Sequence, residues 1–196
     1  MKVQDPLASL PASLRNHQME GSVYSATASN AATASPATLE WCLGLCRVNM
    51  QALYQQASWG WKDDEKRAEI SSGQTTLLIA RDSSCPETPV AYVSYRFECE
   101  DEAPVLYVYE LQVAPESQKR GLGSWLMAVT EWVAWQHGMH RVVLTVLHEN
   151  TAGVQLYGKL GYTLFDNSPT AAEAKEDPSL AGYNILCKLA PARKYL

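Results

Sequence analysis

A short turn near the middle of the chain has the composition of a phosphate-binding loop. Residues 118–123 read Gln-Lys-Arg-Gly-Leu-Gly, and they join a run rich in Val, Leu and Tyr to a run with helical periodicity. The first backbone N–H groups of a helix lack partners within the helix, and the helix dipole favours an anion there. The two glycines let a phosphate approach those groups, and two cations lie beside them. The turn therefore predicts a binding site for a pyrophosphate.

Two familiar phosphate loops do not fit this spacing. A nucleotide P-loop requires Gly-x-x-x-x-Gly-Lys-Ser/Thr, which the turn lacks. The dinucleotide fingerprint requires a third glycine where this chain has Leu126. The remaining pattern, Gln/Arg-x-x-Gly-x-Gly after a strand, resembles the acetyl-CoA loop of the GNAT N-acetyltransferases. Taken alone, these six residues also fit an ordinary turn between a strand and a helix.

Glu110 lies on the run that leads into the turn, next to Tyr109. If the turn holds the pyrophosphate of CoA, a thioester would lie beside these residues, and the reaction would be acyl transfer to an amine. An α-amine with a reference pKa near 7.7–8.0 is partly neutral at pH 7, whereas a lysine near 10.4 requires roughly 3.4 kcal/mol more. Glu110 is therefore the candidate base for an α-amine, and a backbone N–H near Leu111 is the candidate oxyanion donor.

A single site that includes both Tyr109 and Glu110 requires these neighbouring side chains to lie on the same face of their strand. Consecutive side chains of a strand point to opposite faces, so the strand must contain a bulge or diverge from its neighbour. A covalent acyl-cysteine route is not expected, because Cys99 lies between two glutamates, which disfavour a thiolate. Tyr157 is a candidate proton donor to the departing thiolate, with packing within a helix as the alternative.

Two further segments have residue types suited to binding a peptide. Tyr54 and Trp59 either attach a loop to the core or form the walls of a binding slot. Four acids also lie within the five positions that end at residue 102, and Glu98, Glu100 and Glu102 share one face if the strand continues that far. This acidic run is either a solvated turn or a surface that attracts a basic peptide.

The surrounding pattern predicts an α/β fold of the α+β type, with a mixed central sheet, flanking helices and a strand-loop-helix unit. Predicted helices cover residues 36–56, 122–137 and 152–160, and predicted strands cover residues 75–81, 90–97, 105–113, 141–147, 162–165 and 183–189. Residues 1–34 contain few large apolar side chains and are predicted to be a tail or a loosely packed arm. The domain is expected at residues 35–190, with a C-terminal tail at residues 191–196.

Composition argues against several other classes. The chain has 196 residues, 46% of them hydrophobic and 19% charged, which is enough for one globular core. It lacks both an apolar run of about 18 residues and the apolar core of a signal peptide, so neither a membrane span nor secretion is expected. The five cysteines and four histidines lack metal-site spacing, so reduced thiols and no metal are expected. A net charge of −5 argues against direct nucleic-acid binding.

Several separated segments resemble one branch of the GNAT superfamily. They read Asn-Met-Gln-Ala-Leu-Tyr at residues 49–54, Trp-Gly-Trp-Lys-Asp at 59–63, Leu-Tyr-Val-Tyr-Glu-Leu-Gln at 106–112 and Leu-Thr-Val at 144–146, ahead of Asn150. They are similar to NatD, the histone-selective N-terminal acetyltransferase, from about residue 38 to residue 188. Its members use acetyl-CoA to acetylate the α-amine of the first serine in the Ser-Gly-Arg-Gly tails of core histones of the four and two-A types.

The resemblance implies a role for each matching position. Glu110 would be the catalytic base with Tyr109 beside it, in direct transfer within a ternary complex. The residues implied to contact CoA are Leu111, Gln112, Val113, Gln118, Lys119, Arg120, Gly121, Leu122, Gly123, Ser124 and Asn150. The residues implied to bind the peptide are Tyr54, Trp59, Tyr107, Tyr109, Thr145 and Tyr183, with Glu98 and Glu100 for its arginine. The partners would be histone tails, met by a monomer in the nucleus and cytoplasm.

The chain departs from the NatD pattern at two positions of interest. The family often has Asp at the position of Glu98, and its members can have Phe at the position of Tyr157. Two other functions remain open. One is a GNAT enzyme that acetylates lysine side chains or a small amine. The other is a non-catalytic protein that binds histone tails while CoA stabilises its fold.

Overall fold

A mixed eight-stranded sheet forms the centre of the protein, with helices packed on both of its faces. The computed structural model describes residues 5–57 and 59–192. The strands are β1 Asn16–Met19, β2 Ser22–Asn30, β3 Thr76–Asp82, β4 Pro89–Glu100, β5 Ala103–Val113, β6 Arg141–Leu147, β7 Thr163–Leu164 and β8 Tyr183–Leu189. The helices are α1 Ala12–Arg15, α2 Pro36–Gln56, α3 Asp63–Ser71, α4 Leu122–Gln136, α5 Thr151–Lys159 and α6 Ala171–Glu176. The predicted α/β class, with a mixed sheet and flanking helices, is confirmed.

Strand pairing leaves an opening between β5 and β6. The strand order is β1-β2-β3-β4-β5-β6-β8-β7, and β5 and β6 run parallel while the other neighbours are antiparallel. The parallel pairing joins residues 105–108 to residues 141–144, although β5 continues to Val113 and β6 to Leu147. The carboxyl ends of these two strands therefore diverge.

The two faces of the sheet pack against different helices. On one face, Leu126 and Val129 of α4 are buried against Leu106 of β5. On the other face, Leu43 of α2 is buried with Tyr92 of β4. Each such burial stabilises the fold by about 1.5–3 kcal/mol. The packing of α4 directly after β5 holds the first turn of this helix at the opening between the strands.

Local sequence signals set the start of two helices. Ser35 accepts a hydrogen bond from the Thr38 N–H, and Pro36 occupies the first helical position, so α2 begins where the sequence predicts. Asn150 caps α5 in the same way by accepting from the Gly153 N–H at 2.9 Å. Strands β6 and β8 also occupy the predicted residues 141–147 and 183–189.

The prediction that residues 1–34 form a tail or a loosely packed arm is wrong for the residues that the structure describes. β2 pairs with β3 from Tyr24 to Asn30, and β1 extends the sheet beyond it. Tyr24 is only 1% exposed. The small side chains of Ala26 and Ala28 pack against the core, so a strand with few large apolar residues still belongs to the sheet. Residues 1–4, and residues 193–196 of the predicted C-terminal tail, lie outside the described part of the chain.

Candidate functional site

A cavity of 620 Å³ opens where β5 and β6 diverge. It is bounded by the end of β5, the first turns of α4 and α5, and the C-terminal third of α2. Ten of the eleven residues predicted to bind the cofactor line it: Leu111, Gln112, Val113, Gln118, Lys119, Gly121, Leu122, Gly123, Ser124 and Asn150. Further lining residues, which the sequence did not single out as cofactor contacts, include Asn49, Met50, Leu53, Leu156 and Tyr157.

The turn before α4 has the geometry of an anion site. Lys119 and Gly121 adopt left-handed conformations, with φ of 61° and 76°. Gly121 is the N-cap of α4 and supplies no side-chain acceptor for the N–H groups of the first turn. A Cβ added at Gly121 would lie 3.1 Å from the His17 ring, and one added at Gly123 would lie 3.3 Å from Leu156. The turn therefore fits a pyrophosphate held by backbone N–H groups at the start of a helix.

Arg120 is the predicted cofactor residue that does not line the cavity. Its guanidinium donates a 3.3 Å hydrogen bond to the Tyr24 hydroxyl. Its backbone carbonyl lies 2.6 Å from His17 Nε2, which donates to it with the proton on that nitrogen. The side chain and the carbonyl group of Arg120 thus connect the turn to β1 and β2. The sequence did not reveal this link, since residues 1–34 were assigned outside the domain.

A β-bulge in β5 brings Tyr109 and Glu110 to the same face of the sheet. The pairing with β4 shifts after the Ser94–Glu110 pair, and Tyr109 has no partner in that strand. The Tyr109 hydroxyl donates to Glu98 Oε1 at 2.5 Å. Because Glu98 and Ser94 share a face of β4, Tyr109 and Glu110 share a face of β5. The bulge that a common site required is therefore present.

Glu110 is buried, and a hydrogen-bond donor contacts each of its carboxylate oxygens. It is 4% exposed. Lys66 Nζ lies 2.8 Å from Oε1, and Gln112 Nε2 donates to Oε2 at 2.7 Å. Asn49 Nδ2 in turn donates to Gln112 Oε1 at 2.9 Å. Since Asn49 and Gln112 line the cavity, a short chain of hydrogen bonds joins the predicted cofactor site to Glu110.

Lys66 was missed by the sequence analysis. Its ammonium lies 2.8 Å from Glu69 Oε1 and 3.2 Å from the Tyr54 hydroxyl. Burial alone would lower the pKa of Lys66, but the nearby Glu110, followed by Tyr54 and Glu69, raises it above its usual value. The signal that could have found this residue is the spacing of three between Lys66 and Glu69, within a charged run that forms α3.

The residues predicted to wall a peptide slot lie in contact with one another. The Trp59 ring is 5.6 Å from the Tyr54 ring and 4.9 Å from the Tyr183 ring. The Tyr107 hydroxyl is 2.6 Å from the Thr145 hydroxyl. Burial raises the pKa of Tyr54, so this phenol is neutral near pH 7. The loop after α2 and strands β5, β6 and β8 thus contribute one aromatic surface.

The acidic run continues this surface only in part. Glu98 contacts Tyr109, whose ring lies 5.2 Å from the Tyr107 ring. Glu98 and Glu100 are half-buried at the C-terminal end of β4. The expectation that Glu102 shares their face fails, because the strand ends at Glu100 and Glu102 lies in a turn with φ of 61°.

A second, smaller cavity of 240 Å³ lies beside Tyr54 and Trp59. Besides Tyr54 and Trp59, its lining includes Gly60, Trp61, Lys62, Glu65, Lys66 and Glu69. The buried cluster around Lys66 therefore has a route to the surface that is separate from the 620 Å³ cavity.

A family model described as the acetyltransferase (GNAT) family matches residues 46–162. The chain belongs to this family. The matched segment contains the elements from β3 to α5, and it includes the end of β5, the turn before α4 and the first turns of α4 and α5, which line the larger cavity. The GNAT part of the resemblance is therefore confirmed.

The curated relatives include two mycothiol acetyltransferases. The protein from Nocardia farcinica is 30% identical over 122 residues, which cover 60% of this chain and 40% of the relative. The protein from Mycobacterium avium is 32% identical over 134 residues, covering 62% and 42%. The matched part of the chain thus spans about two fifths of the length of these relatives.

Solved structures with the same fold include two plant acetyltransferases. Arabidopsis thaliana Naa50, in complex with the bisubstrate analogue CoA-Ac-MVNAL, has a TM-score of 0.56 and 18% identity, covering 84% of this chain and 99% of that chain. Arabidopsis thaliana NAA60, in complex with acetyl-CoA, has a TM-score of 0.59 and 12% identity, covering 84% and 98%. At these identities the likeness establishes the GNAT fold.

Acetyl-CoA is the co-substrate that the sequence predicts, and these two neighbours were solved with acetyl-CoA or with a CoA-based analogue. The uncapped first turn of α4 and the cavity beside it fit its pyrophosphate and pantetheine. In residues 5–57 and 59–192, no cluster of three His, Cys, Asp or Glu side chains is arranged to hold a metal. No helix within those residues has the length and apolar character needed to cross a membrane.

Proposed function

We propose that this protein transfers the acetyl group of acetyl-CoA to the free α-amine of an N-terminal serine, in peptides that begin Ser-Gly-Arg-Gly. The observation that supports this most directly is the bulge at Tyr109. It places a buried carboxylate, Glu110, and a tyrosine bonded to a second carboxylate, Glu98, on one face of the strand that borders the cofactor cavity. An amine and a nearby cation of the same substrate can therefore be bound along one strand.

Glu110 is the proposed base in this reaction. Acetyl-CoA supplies an acetyl thioester, and attack on it requires a neutral amine. Each oxygen of Glu110 accepts one hydrogen bond in the structure, so lone pairs remain to accept a proton, directly or through water. An α-amine needs only modest assistance from a base near pH 7, and a carboxylate can supply it. A lysine side chain would need a stronger base, because its pKa is higher.

Tyr157 lines the cavity from α5 and is the proposed proton donor to the departing thiolate. It is 8% exposed, and burial raises its pKa, so the phenol carries its proton near neutral pH. Its ring also packs 5.7 Å from that of Tyr162, so the packing role considered from the sequence is present as well.

Glu98 and Glu100 are proposed to bind the arginine of the peptide. The Tyr109 hydroxyl occupies one oxygen of Glu98, which leaves the other for a guanidinium. Arginine presents a planar fork of N–H donors, so two neighbouring carboxylates bind it more specifically than they bind lysine. The wall formed by Tyr54, Trp59 and Tyr183 is proposed to pack against the small first residues of the peptide, Ser and Gly.

The resemblance to NatD supports extending this proposal to histone tails as partners. We infer that the protein acts as a monomer in the nucleus and cytoplasm, and that it recognises the tail without binding nucleic acid. The net charge of −5 is consistent with a cationic peptide partner.

A second candidate function is acetylation of a small amine. It is favoured by the two mycothiol acetyltransferases among the curated relatives, whose names indicate a small-molecule product. The aromatic wall and the acidic pair would then have no extended substrate to contact. This candidate predicts acetyl transfer to small amines and none to the serine α-amine of the peptide.

The first experiment is acetyl transfer to a Ser-Gly-Arg-Gly-Lys peptide, with the same peptide blocked at its N-terminus as the control. Fragmentation mass spectrometry locates the acetyl group. Acetyl on the serine α-amine, with the blocked peptide inert, is the expected result. Transfer to small amines alone would assign the protein to the second candidate function, and acetyl on lysine in both peptides would instead identify a side-chain acetyltransferase.

A further inference from the structure

Lys66 lies between two carboxylates inside the protein. Its side chain is 11% exposed, that of Glu110 is 3% exposed, and that of Glu69 is 28% exposed. An ammonium has three N–H donors, and the acceptors on Glu110, Glu69 and Tyr54 lie 2.8, 2.8 and 3.2 Å from Nζ. Lys66 is therefore held in one position by three contacts from two helices and a strand.

We propose that Lys66 is a positioning residue for acetyl transfer, which keeps the buried Glu110 carboxylate ionised and holds it beside Tyr109. The inference rests on the proposed function, because it matters to turnover only if Glu110 accepts the proton of the substrate amine. No role for this lysine follows from the family match or from the sequence alone.

Burial makes the negative charge of Glu110 costly. A carboxylate without a cation in such a site takes up a proton more readily, because burial disfavours its charged form. Gln112 donates one hydrogen bond but carries no charge. Other titratable or charged groups that surround the site are Cys46 and Tyr54 of α2, Glu69 of α3, Tyr92 and Arg96 of β4, and Tyr157 of α5. Among the described residues, Lys66 is the cation in ion-pair contact with Glu110.

Glu69 prevents the ion pair from neutralising the site. Lys66 shares its single positive charge between Glu110 and Glu69, so the three groups together carry one net negative charge. A substrate ammonium that approaches Glu110 is therefore still attracted, while Glu110 itself remains ionised. A single Lys–Glu pair would lack this residual charge.

The test compares three variants of the full chain. Lys66→Met removes the cation with little change in length, and Lys66→Arg keeps the charge. Arg67→Met is the matched control, since Arg67 is the next residue of α3 and pairs with the exposed Glu40 instead. Peptide turnover is measured from pH 5 to pH 9, and the Glu110 carboxyl carbon is followed by NMR in protein labelled with ¹³C-glutamate. Its signal is assigned from its loss in Glu110→Gln.

In Lys66→Met we expect the acidic limb of the kcat profile to move to higher pH by about 1–3 units. At a pH below the acidic limbs of both proteins, kcat of the variant should then be about 10- to 1000-fold lower than that of the wild type. The titration of the Glu110 carbon should move in the same direction. Lys66→Arg and Arg67→Met should retain the wild-type limb. A lower kcat without any shift of the limb would mean that Lys66 serves only packing, and would overturn the inference.

The NMR readout separates this inference from the proposed function. If the wild-type protein acetylates no peptide, the proposed function fails, yet the titration of Glu110 still reports whether Lys66 controls its charge. An unmoved Glu110 signal in Lys66→Met overturns the inference whatever the activity. Lys66→Gln, which keeps a hydrogen-bond donor without the charge, provides the same comparison if the Met variant does not fold.

Discussion

Tyr109 and Glu110 are consecutive in the sequence, and both side chains project from the same face of β5. The bulge joins two networks that strict alternation would have separated. Through Tyr109 the strand contacts Glu98 at the end of β4, and through Glu110 it contacts Lys66 of α3. The chemistry proposed for the amine and the recognition proposed for the peptide therefore depend on one extra residue in a strand.

Glu110→Gln should lower kcat by about 10²–10⁴-fold, because an amide cannot accept the proton of the amine. The affinity for acetyl-CoA should not change, since Glu110 does not line the 620 Å³ cavity. Steady-state kinetics and titration calorimetry measure the two quantities. Glu116→Gln, in an exposed turn before α4, is the control. An unchanged kcat would remove Glu110 as the base.

Glu98→Gln should raise the peptide KM about tenfold for a tail that contains arginine, since a hydrogen bond to a charged group contributes about 1.5–3 kcal/mol and the half-buried site screens part of it. The amide oxygen can still accept from Tyr109, so the strand itself should be unaffected. The comparison peptide has alanine in place of arginine. Glu102→Gln, in the turn beyond β4, serves as the control variant. An equal rise in KM for both peptides would contradict the assignment.

Gly121→Val should weaken acetyl-CoA binding by at least about tenfold, because a left-handed conformation at a non-glycine residue costs about 1–3 kcal/mol and the turn must change shape. The added side chain would also meet the His17 ring. Gly158→Ala is the control, since an added Cβ there meets no atom within 4 Å. Calorimetry that shows wild-type affinity for Gly121→Val would place the pyrophosphate elsewhere.

Tyr24→Ala should lower the free energy of unfolding by about 3–5 kcal/mol, the range for removal of a buried aromatic ring. The reason is that β2 belongs to the core sheet and Tyr24 is 1% exposed. Ser29→Ala, at an exposed position of the same strand, should change stability by less than about 0.5 kcal/mol. Urea denaturation measures both. Equal free energies of unfolding for the two variants would show that residues 5–34 are a loosely packed arm and not part of the core.

Alkylation of the native protein at pH 8 should modify Cys85 and Cys99, which are exposed, and spare the buried cysteines. Burial raises the pKa of Cys42 to about 12, with Arg81 opposing this weakly, so its thiolate fraction at pH 8 is about 10⁻⁴. Burial also raises the pKa of Cys46. Peptide mass spectrometry after brief treatment with iodoacetamide reports each site, and denatured protein is the control. Rapid labelling of Cys42 in the native protein would show that α2 opens readily.

The sequence by itself determined the parts of the protein that depend on neighbouring residues. The Ser35-Pro36 start of α2 and the two glycines before α4 follow from capping and backbone rules that act within a few residues. The order of the strands after residue 35, and of helices α2, α4 and α5 among them, also follows from local periodicity, whereas α3 and α6 were not predicted. For the same reason, ten of the eleven predicted cofactor residues meet at the cavity, because they belong to one strand-loop-helix unit and to the next helix cap.

Only the tertiary structure decided the contacts between distant segments. It placed β2 beside β3, turned Arg120 toward Tyr24, and set Lys66 against Glu110. Periodicity carries no information about which strand lies at an edge or which helix covers a given face. An alanine-rich strand becomes part of a core, and a charged run becomes the wall of a buried site, only when the rest of the chain packs against them.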